Sequence, residues 1–314
     1  MLTAVFGGPV CAATAENYPA KPLRLLVPFA PGGAGDITAR TVTQKMAEAM
    51  KQQFIIDNRP GAGGVAATEL VAKAEPDGYT ILALNNGHAV SAALFKSLPY
   101  DVLRDFAPVS TVGRVSMALL VPGESPVKSV KELIAQAKAT PGKLNLGTIN
   151  IGSTPHLAAE LFKSMSGIEV VAVPFNATGA VITALRSNSV QFAFEFITPV
   201  LGQVKAGSLR AIAVTSRARS IVLPEVPTLA ESGVPGYEAV SWNGMAVPIK
   251  TPVAIIIRLN REIHAAVAMP EVKQRLQELG VEPFLNTPEA TRDLVAADIA
   301  KWNGVIDKAK IPRQ

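Results

Sequence analysis

The chain has 314 residues, 48% hydrophobic and 18% charged, with a formal net charge of +5 at pH 7. That length suits two compact domains, and the composition excludes a disordered chain. Its Lys and Arg residues are scattered among acidic neighbours, without a basic block interleaved with aromatics, which speaks against a nucleic-acid partner.

Residues 1–15 are apolar or small and uncharged, and Ala13-Thr14-Ala15 resembles the small-residue pattern before a signal-peptidase cut. We read this segment as the remnant of an export signal. A lipid anchor at Cys11 is the competing reading, but Gly8-Pro9-Val10 makes a poor lipobox. Cutting after Ala15 would remove the chain's only cysteine, which excludes disulfides and thiol chemistry in the mature protein and suits the bacterial periplasm. No later apolar run reaches the roughly 18 residues that cross a bilayer, so the mature protein is expected to be soluble.

Residues 23–27 form an apolar run of strand length, residues 28–35 cannot continue it, and Val42, Met46, Ala49 and Met50 recur at helical spacing. This is strand, glycine loop, helix. Gly32, Gly33 and Gly35 leave backbone N–H groups uncovered where the positive end of the helix points, which is a seat for an anion. The alternative is that the glycines only make the turn and Asp36 only caps the helix.

Residues 54–56 read as a second strand, and Asn58-Arg59-Pro60-Gly61-Ala62-Gly63-Gly64 leads into a helix to about residue 74. Gly61, Gly63 and Ala66 match a dinucleotide fingerprint, but the next strand, 79–84, ends in Asn85-Asn86 where a ribose-binding acid is required. We therefore read a turn and a helix entry. A helix follows around 91–97, residues 99–108 are irregular, and 116–121 is a strand.

Ser129 and Glu132 form a capping box for a helix to about residue 139. Strand 144–147 then exits through Thr148 to Pro155 into a helix ending near Met165, with Pro155 as its first residue. Strand 170–175, the loop 176–179, a helix to about 187, strand 190–196, a short helix before Gly207 and strand 209–215 continue the alternation. Residues 238–247 suit a long strand, and 252–269, 270–279 and 288–309 are helical. Near-continuous apolar strands alternating with helices predict α/β architecture with parallel sheets covered on both faces.

Four strand exits are glycine-rich or polar: Pro31-Gly32-Gly33, Asn85-Asn86-Gly87-His88, residues 147–154 and residues 195–199. In open parallel sheets ligands sit beyond the carboxyl ends of the strands. Ser153 and Thr154 donate from backbone and hydroxyl, and Asn85 and Asn86 orient either way. Such a site recognises its ligand without obvious chemistry. No H-E-x-x-H, G-x-S-x-G or Walker motif occurs, and His88, His156 and His264 are far apart in sequence and read best as structural. Ser153 with His156 lacks an acidic third member. Glu195 shares a strand face with Gln191 and Ala193, opposite Phe192, Phe194 and Phe196. A carboxylate there needs a partner, either a ligand ammonium or hydroxyl or an internal base.

Tyr18-Pro19 with Lys21-Pro22, residues 27–33 (Val-Pro-Phe-Ala-Pro-Gly-Gly), Asp36, Asn58-Arg59-Pro60-Gly61, Pro76-Asp77-Gly78-Tyr79, Ser129-Val130-Lys131-Glu132-Leu133, Pro141-Gly142-Lys143, Pro155-His156-Leu157, Val173-Pro174, residues 209–214 and Val226-Pro227-Thr228 follow in order. Together they resemble the Bug-type receptors of tripartite tricarboxylate transporters, the TctC family, across nearly the whole mature chain. The resemblance implies an exported two-domain α/β receptor of the Venus-flytrap periplasmic-binding-protein type (type 2), monomeric and without metal or cofactor. It would close on a small carboxylate and hand it to a membrane permease. One domain is expected from residues 16–120 plus 240–314 and the other from 121–239, with crossovers at 119–122 and 240–248. Carried over, Pro31, Gly32 and Gly33 with Ser153 and Thr154 would grip a ligand carboxylate, and Asn85, Asn86 and His88 would complete the near wall. The chain departs from the family where Lys-Gly is usual, having Asn176-Ala177, and at the usual Phe-Asp-Asn, having Phe194-Glu195-Phe196. Glu195 and Phe196 at the ligand's far end would suit an amine, a hydroxyl or an aromatic ring. An exported sensor presenting its closed form to a signalling partner, or an esterase or transferase using His88 or His156, are the alternative readings.

Overall fold

The computed structural model describes residues 17–28, 31–32, 34–61, 64–149 and 152–314. The expected export signal at 1–15 and the expected ligand contact Gly33 lie outside the described residues. The elements are β1 (Leu23–Val27), α1 (Ala34–Met50), β2 (Phe54–Asn58), α2 (Val65–Ala72), β3 (Thr80–Asn85), α3 (Asn86–Leu94), β4 (Phe106–Pro122), α4 (Val130–Ala139), β5 (Asn145–Ile149) and α5 (Thr154–Ser166). They continue with β6 (Val171–Phe175), α6 (Thr178–Arg186), β7 (Phe192–Phe196), α7 (Ile197–Lys205), β8 (Leu209–Val214), β9 (Val240–Pro248), α8 (Val253–Ala268), α9 (Pro270–Glu278), β10 (Val281–Pro283) and α10 (Pro288–Lys308).

Local chemistry sets many of these boundaries. Ser129 accepts the Glu132 N–H at 3.2 Å and starts α4, while the Glu132 carboxylate takes the Lys128 N–H at 2.7 Å. Proline occupies the first turn of α5, α9 and α10, where its missing N–H has no helical partner to lose.

The strands pair in the order β2-β1-β3-β9-β4-β7-β5-β6, with β8 and β10 added along β4. Parallel pairing joins β1 with β2 and β3, and β5 with β6 and β7. Every pairing made by β4 and β9 is antiparallel, so these two strands join the parallel sets into one mixed sheet. The 17-residue β4 is the shared element. Its first part pairs β9 up to Ser116, and from Met117 onward it pairs β7 and β8. The step from one set of partners to the other therefore falls between Ser116 and Met117. The chain returns beside this step: the Thr215 N–H donates to the Met117 carbonyl at 3.0 Å, and the Ala239 N–H to the Thr215 carbonyl at 2.9 Å.

Helices cover both faces of each half. In the first half, Leu25, Val42, Met46, Ile81, Val247, Ile263 and Leu276 form one core and Leu26, Leu82, Phe106 and Trp242 another. In the second half, Leu146, Phe162, Phe194 and Tyr237 lie on one face and Val181, Leu185, Ala193 and Val200 on the other. The Phe162 core also takes Ala89, Val90 and Leu94 from α3 and Trp302, Val305 and Ile306 from α10. The end of the last helix thus packs with the half formed by residues 117–239, although its sequence position suggests the first.

Candidate ligand-binding site

Strand register fixes where a ligand crevice can form. Asn85, the last residue of β3, pairs with Asn243 of β9, which pairs with Gly113 of β4. From the opposite side, Phe196 at the end of β7 pairs with Met117. Because β1 and β2 run with β3, and β5 and β6 with β7, the carboxyl ends of both parallel sets converge on the Ser116–Met117 step. That convergence is the usual place for a ligand in open α/β sheets.

On the first wall, Pro31 and Gly32 are exposed, and Gly32 adopts a φ of 83° that favours glycine. Its N–H is not left open. It donates to Asp36 Oδ2 at 2.9 Å, and Asp36 also accepts from Arg40 Nε at 2.9 Å and Asn58 Nδ2 at 2.9 Å. Burial works to raise the Asp36 carboxyl, but these bonds hold it below the ordinary carboxylate range. Asp36 in the first turn of α1 therefore closes the glycine loop onto the helix, which is the turn-making role.

Asn85 and His88 are joined to each other. His88 Nδ1 lies 3.1 Å from the Asn85 N and 2.9 Å from Asn85 Oδ1, while Nε2 lies 3.1 Å from Thr68 Oγ1. With both ring nitrogens engaged and 2% exposure, burial pushes His88 down to about 4 and keeps it neutral. It secures the start of α3. Asn86 is fully buried and bridges three elements. Its Nδ2 donates to Asp298 Oδ2 at 2.7 Å, and its Oδ1 accepts from Thr154 Oγ1 at 3.1 Å. Trp242 Nε1 donates to the same Asp298 oxygen at 2.7 Å.

On the second wall, Ser153 donates to the Ile149 carbonyl and accepts the His156 N–H at 3.2 Å, capping α5. The His156 ring instead takes the Gly152 N–H on Nδ1, at 3.2 Å, so Ser153 and the imidazole do not form a nucleophile and base. Gly152 has a φ of 81°, and a Cβ there would collide with the Leu94 side chain of α3. Glycine lets this loop press against the first wall. His264 is held by Ser110 Oγ and the Asn286 carbonyl, both at 3.2 Å.

Glu195 is wholly buried near the end of β7. Its Oε1 accepts the Phe196 N–H at 2.8 Å, and its Oε2 has no hydrogen-bond partner. Burial pushes its carboxyl up to about 7, partly offset by the Phe196 N–H and by Thr178 at the start of α6. Phe196 packs against core residues of both halves, which places the end of β7 at their junction.

Most of the polar groups named from sequence are thus bonded within the protein, with Glu195 Oε2 an exception, and another unengaged group is one the sequence did not single out. The Thr38 hydroxyl is 1% exposed and lacks a partner. It lines a small cavity with Gly35, Leu84, Asn243 and Gly244, which has room for about one water. Sequence reading passed over Thr38 and Asn243. Thr38 lies three residues beyond Gly35 on the same face of α1, and Asn243-Gly244 interrupts an apolar strand, so both carried a signal. Asp298 carried none, because its partners are 212 and 56 residues away. A wider hollow of about 330 Å³ opens on another face, between the start of α4 and residues 225–232, away from these groups.

Comparison with known proteins gives a concordant picture. Residues 38–311 match the family model described as tripartite tricarboxylate transporter family receptor. The chain is 37% identical over 306 residues to the protein BugT of Bordetella pertussis, covering 97% of this chain and 93% of that one. Among solved structures, an R. palustris protein with adipate superposes with a TM-score of 0.84 at 36% identity, over 94% of this chain and 99% of the other. MatC from Rhodopseudomonas palustris with bound malate superposes with a TM-score of 0.79 at 30% identity, over 92% and 100%.

Proposed function

Because the chain belongs to the tripartite tricarboxylate transporter receptor family, we propose that it is a periplasmic receptor that captures a small carboxylate and delivers it to a membrane permease. The observation that carries this reading is the convergence of two sets of parallel strand ends on one crevice beside Ser116 and Met117. The two lobes are built from the described residues of 17–116 plus 240–314 and of 117–239, with the end of α10 docked on the second. They part and close about the paired crossings at 116–117 and 215–239, and a ligand that contacts both lobes favours the closed state. Relatives solved with adipate and malate support a carboxylate as the ligand.

Pro31, Gly32, Ser153 and Thr154 form the rim that the ligand meets. Asn86 acts through Thr154, and Asn85 and His88 hold the α3 entrance in place. Thr38 and Asn243 supply the polar floor, with Glu195 and Phe196 at the far end. The site performs recognition without turnover, it uses no metal or cofactor, and the receptor acts as a monomer.

A thermal-shift screen of the mature chain against di-, tri-, hydroxy-, amino and aromatic acids tests the proposal, since a ligand that binds only the folded state raises the melting temperature. A shift confined to one class of acid is expected. A folded, ligand-free protein that responds to none of them overturns it.

A further inference from the structure

The hollow between the start of α4 and residues 225–232, about 330 Å³, is lined by none of the residues assigned to the crevice, and strand pairing explains why it stays open. On β4, the Met117 carbonyl accepts the Thr215 N–H, so Met117, Leu119 and Val121 bond toward β8 and the residues between them do not. Val214, opposite Ala118, therefore turns its N–H and C=O to the outer edge of β8. There its N–H donates to the Pro227 carbonyl at 2.8 Å and its carbonyl accepts the Leu229 N–H at 2.9 Å, with Thr228 running parallel beside it. Ala211 stands opposite Leu120 and turns outward in the same way, because the register slips at Ile212. Residues 225–227 have already left the strand at this level, since Val226 is buried with Leu223 in the core of Val181 and Val200. Among the described residues no group bonds the outward N–H and C=O of Ala211, which lines the hollow.

The walls of this notch differ in charge. On one side stand Lys128 and Lys131, both exposed, whose ammonium groups make no ion pair or hydrogen bond among the described residues. The acids nearest to them are engaged: Glu132 accepts the Lys128 backbone N–H at 2.7 Å, and Glu231 holds Arg219 at 3.0 Å and the Thr228 N–H at 2.8 Å. Arg210 of β8 is turned to the Gly123 and Ser125 carbonyls, at 2.6 and 3.0 Å. On the opposite side is Glu225, and buried Val130, Ile212 and Val226 supply apolar surface between. The notch thus offers one strand donor, one strand acceptor, an apolar floor and two unpaired cations along a single rim.

We propose that this notch is a docking site for an extended, acidic segment of a partner protein, which joins the outer edge of β8 as an added strand. A free acid can meet the lysines, but only a peptide backbone uses the N–H and the C=O of Ala211 together, as in other cases of strand addition. Side chains of such a segment alternate, so every second one meets the apolar floor while those between reach the rim. Lys128 and Lys131 attract carboxylates to their rim, and Glu225 repels them from the other, which fixes how the guest strand lies. The proposal is independent of the receptor reading, because the two use different residues.

Fluorescence anisotropy with the fluorescein-labelled peptide Glu-Val-Glu-Val-Glu-Val, and with Lys-Val-Lys-Val-Lys-Val as the charge control, tests this on the folded protein. The acidic peptide should bind with a Kd of about 1 mM or tighter and weaken between about 20 and about 300 mM NaCl, and the basic one should not bind. K128E/K131E, which places acids where the start of a helix favours them, should weaken binding by at least about tenfold. A211P removes an N–H that faces outward from an edge strand and should do the same. The acidic peptide methylated on every backbone nitrogen should not bind, and this arm with the lysine pair decides the matter if A211P does not fold. The proposal is overturned if the acidic peptide fails to bind, if the basic peptide binds equally, or if the methylated peptide binds as well as its parent. Displacement of the peptide by an equal concentration of free glutamate, which marks a small-anion site, also overturns it. So does a dimer in sedimentation velocity that K128E/K131E dissolves, which marks a second copy as the occupant. None of these outcomes touches the carboxylate screen that tests the receptor reading.

Discussion

Asn86 and Thr154 are 68 residues apart in sequence, and their side chains meet at 3.1 Å across the junction of the two halves. The same Asn86 amide donates to Asp298 at 2.7 Å, so one fully buried side chain ties α3 to both α5 and α10. N86A should destabilise the protein by about 1–3 kcal/mol, the cost of leaving buried partners unpaired. T154V removes only the bond across the junction and should cost less than N86A, while weakening ligand binding if that bond helps hold the closed state. Urea denaturation and calorimetry on both variants check the two effects separately, and equal destabilisation by the two changes would show that Asp298 gains nothing from Asn86.

His88 makes stability depend on pH in a definite direction. Its native pKa, pushed down to about 4 by burial, lies below the ordinary 6.5, so the unfolded chain binds the proton more readily. Stability is therefore lost as pH falls from about 6.5 to about 4, by about 3 kcal/mol in all. H88Q, which cannot charge, should lack this slope when unfolded in urea at pH 7, 5.5 and 4.

Glu195 acts with the opposite sign. Its native pKa, raised to about 7 from an ordinary 4.5, means that the folded protein holds the proton more tightly. Its contribution is fully present below about pH 4.5 and declines as pH rises to about 7, by about 3 kcal/mol in all. E195Q should therefore be more stable than the wild type at pH 8, with the difference vanishing near pH 4.5. Between pH 4.5 and 6.5 the two groups oppose each other, and the single variants should reveal slopes that the wild type conceals. A wild type and an E195Q variant with the same stability difference at every pH would show that Glu195 titrates normally.

Thr38 separates a folding role from a binding role. Its hydroxyl is buried without a partner at the cavity lined by Asn243 and Gly244. Valine has nearly the same shape and no unpaired polar atom, so T38V should be as stable as the wild type or more stable by about 1 kcal/mol. If the hydroxyl contacts ligand directly or through a water, affinity should fall by about fivefold to tenfold, about 1–1.4 kcal/mol. Unchanged affinity would leave Thr38 outside the site.

Short-range patterns carried much of this fold. Residues 23–27 coincide with β1, and the three closing helices fall within a residue or two of their expected bounds, because apolar periodicity and first-turn prolines are local signals. β4 is different. Pro108, Gly113 and Arg114 disguise its first part as irregular chain, and the register shifts between Pro108 and Ser110 and between Thr111 and Gly113 come from pairing with β9, more than 100 residues away. The strand β10 is made by the same long-range pairing and was not foreseen. At the site, sequence named strand ends that the fold brings to the Ser116–Met117 step but could not say which donors are free. Gly32 and Ser153 look open until Asp36 and Ile149 engage them, and only the folded chain shows Glu195 Oε2 and the Thr38 hydroxyl without partners.

Trp302, Val305 and Ile306 close a core whose other members come mostly from α3 and from residues 117–239. During synthesis those earlier residues leave the ribosome well before the helix that seals them, and Trp302 is wholly buried once it arrives. Until then the nascent chain presents an unsealed apolar face. Sealing of that core is thereby deferred to α10.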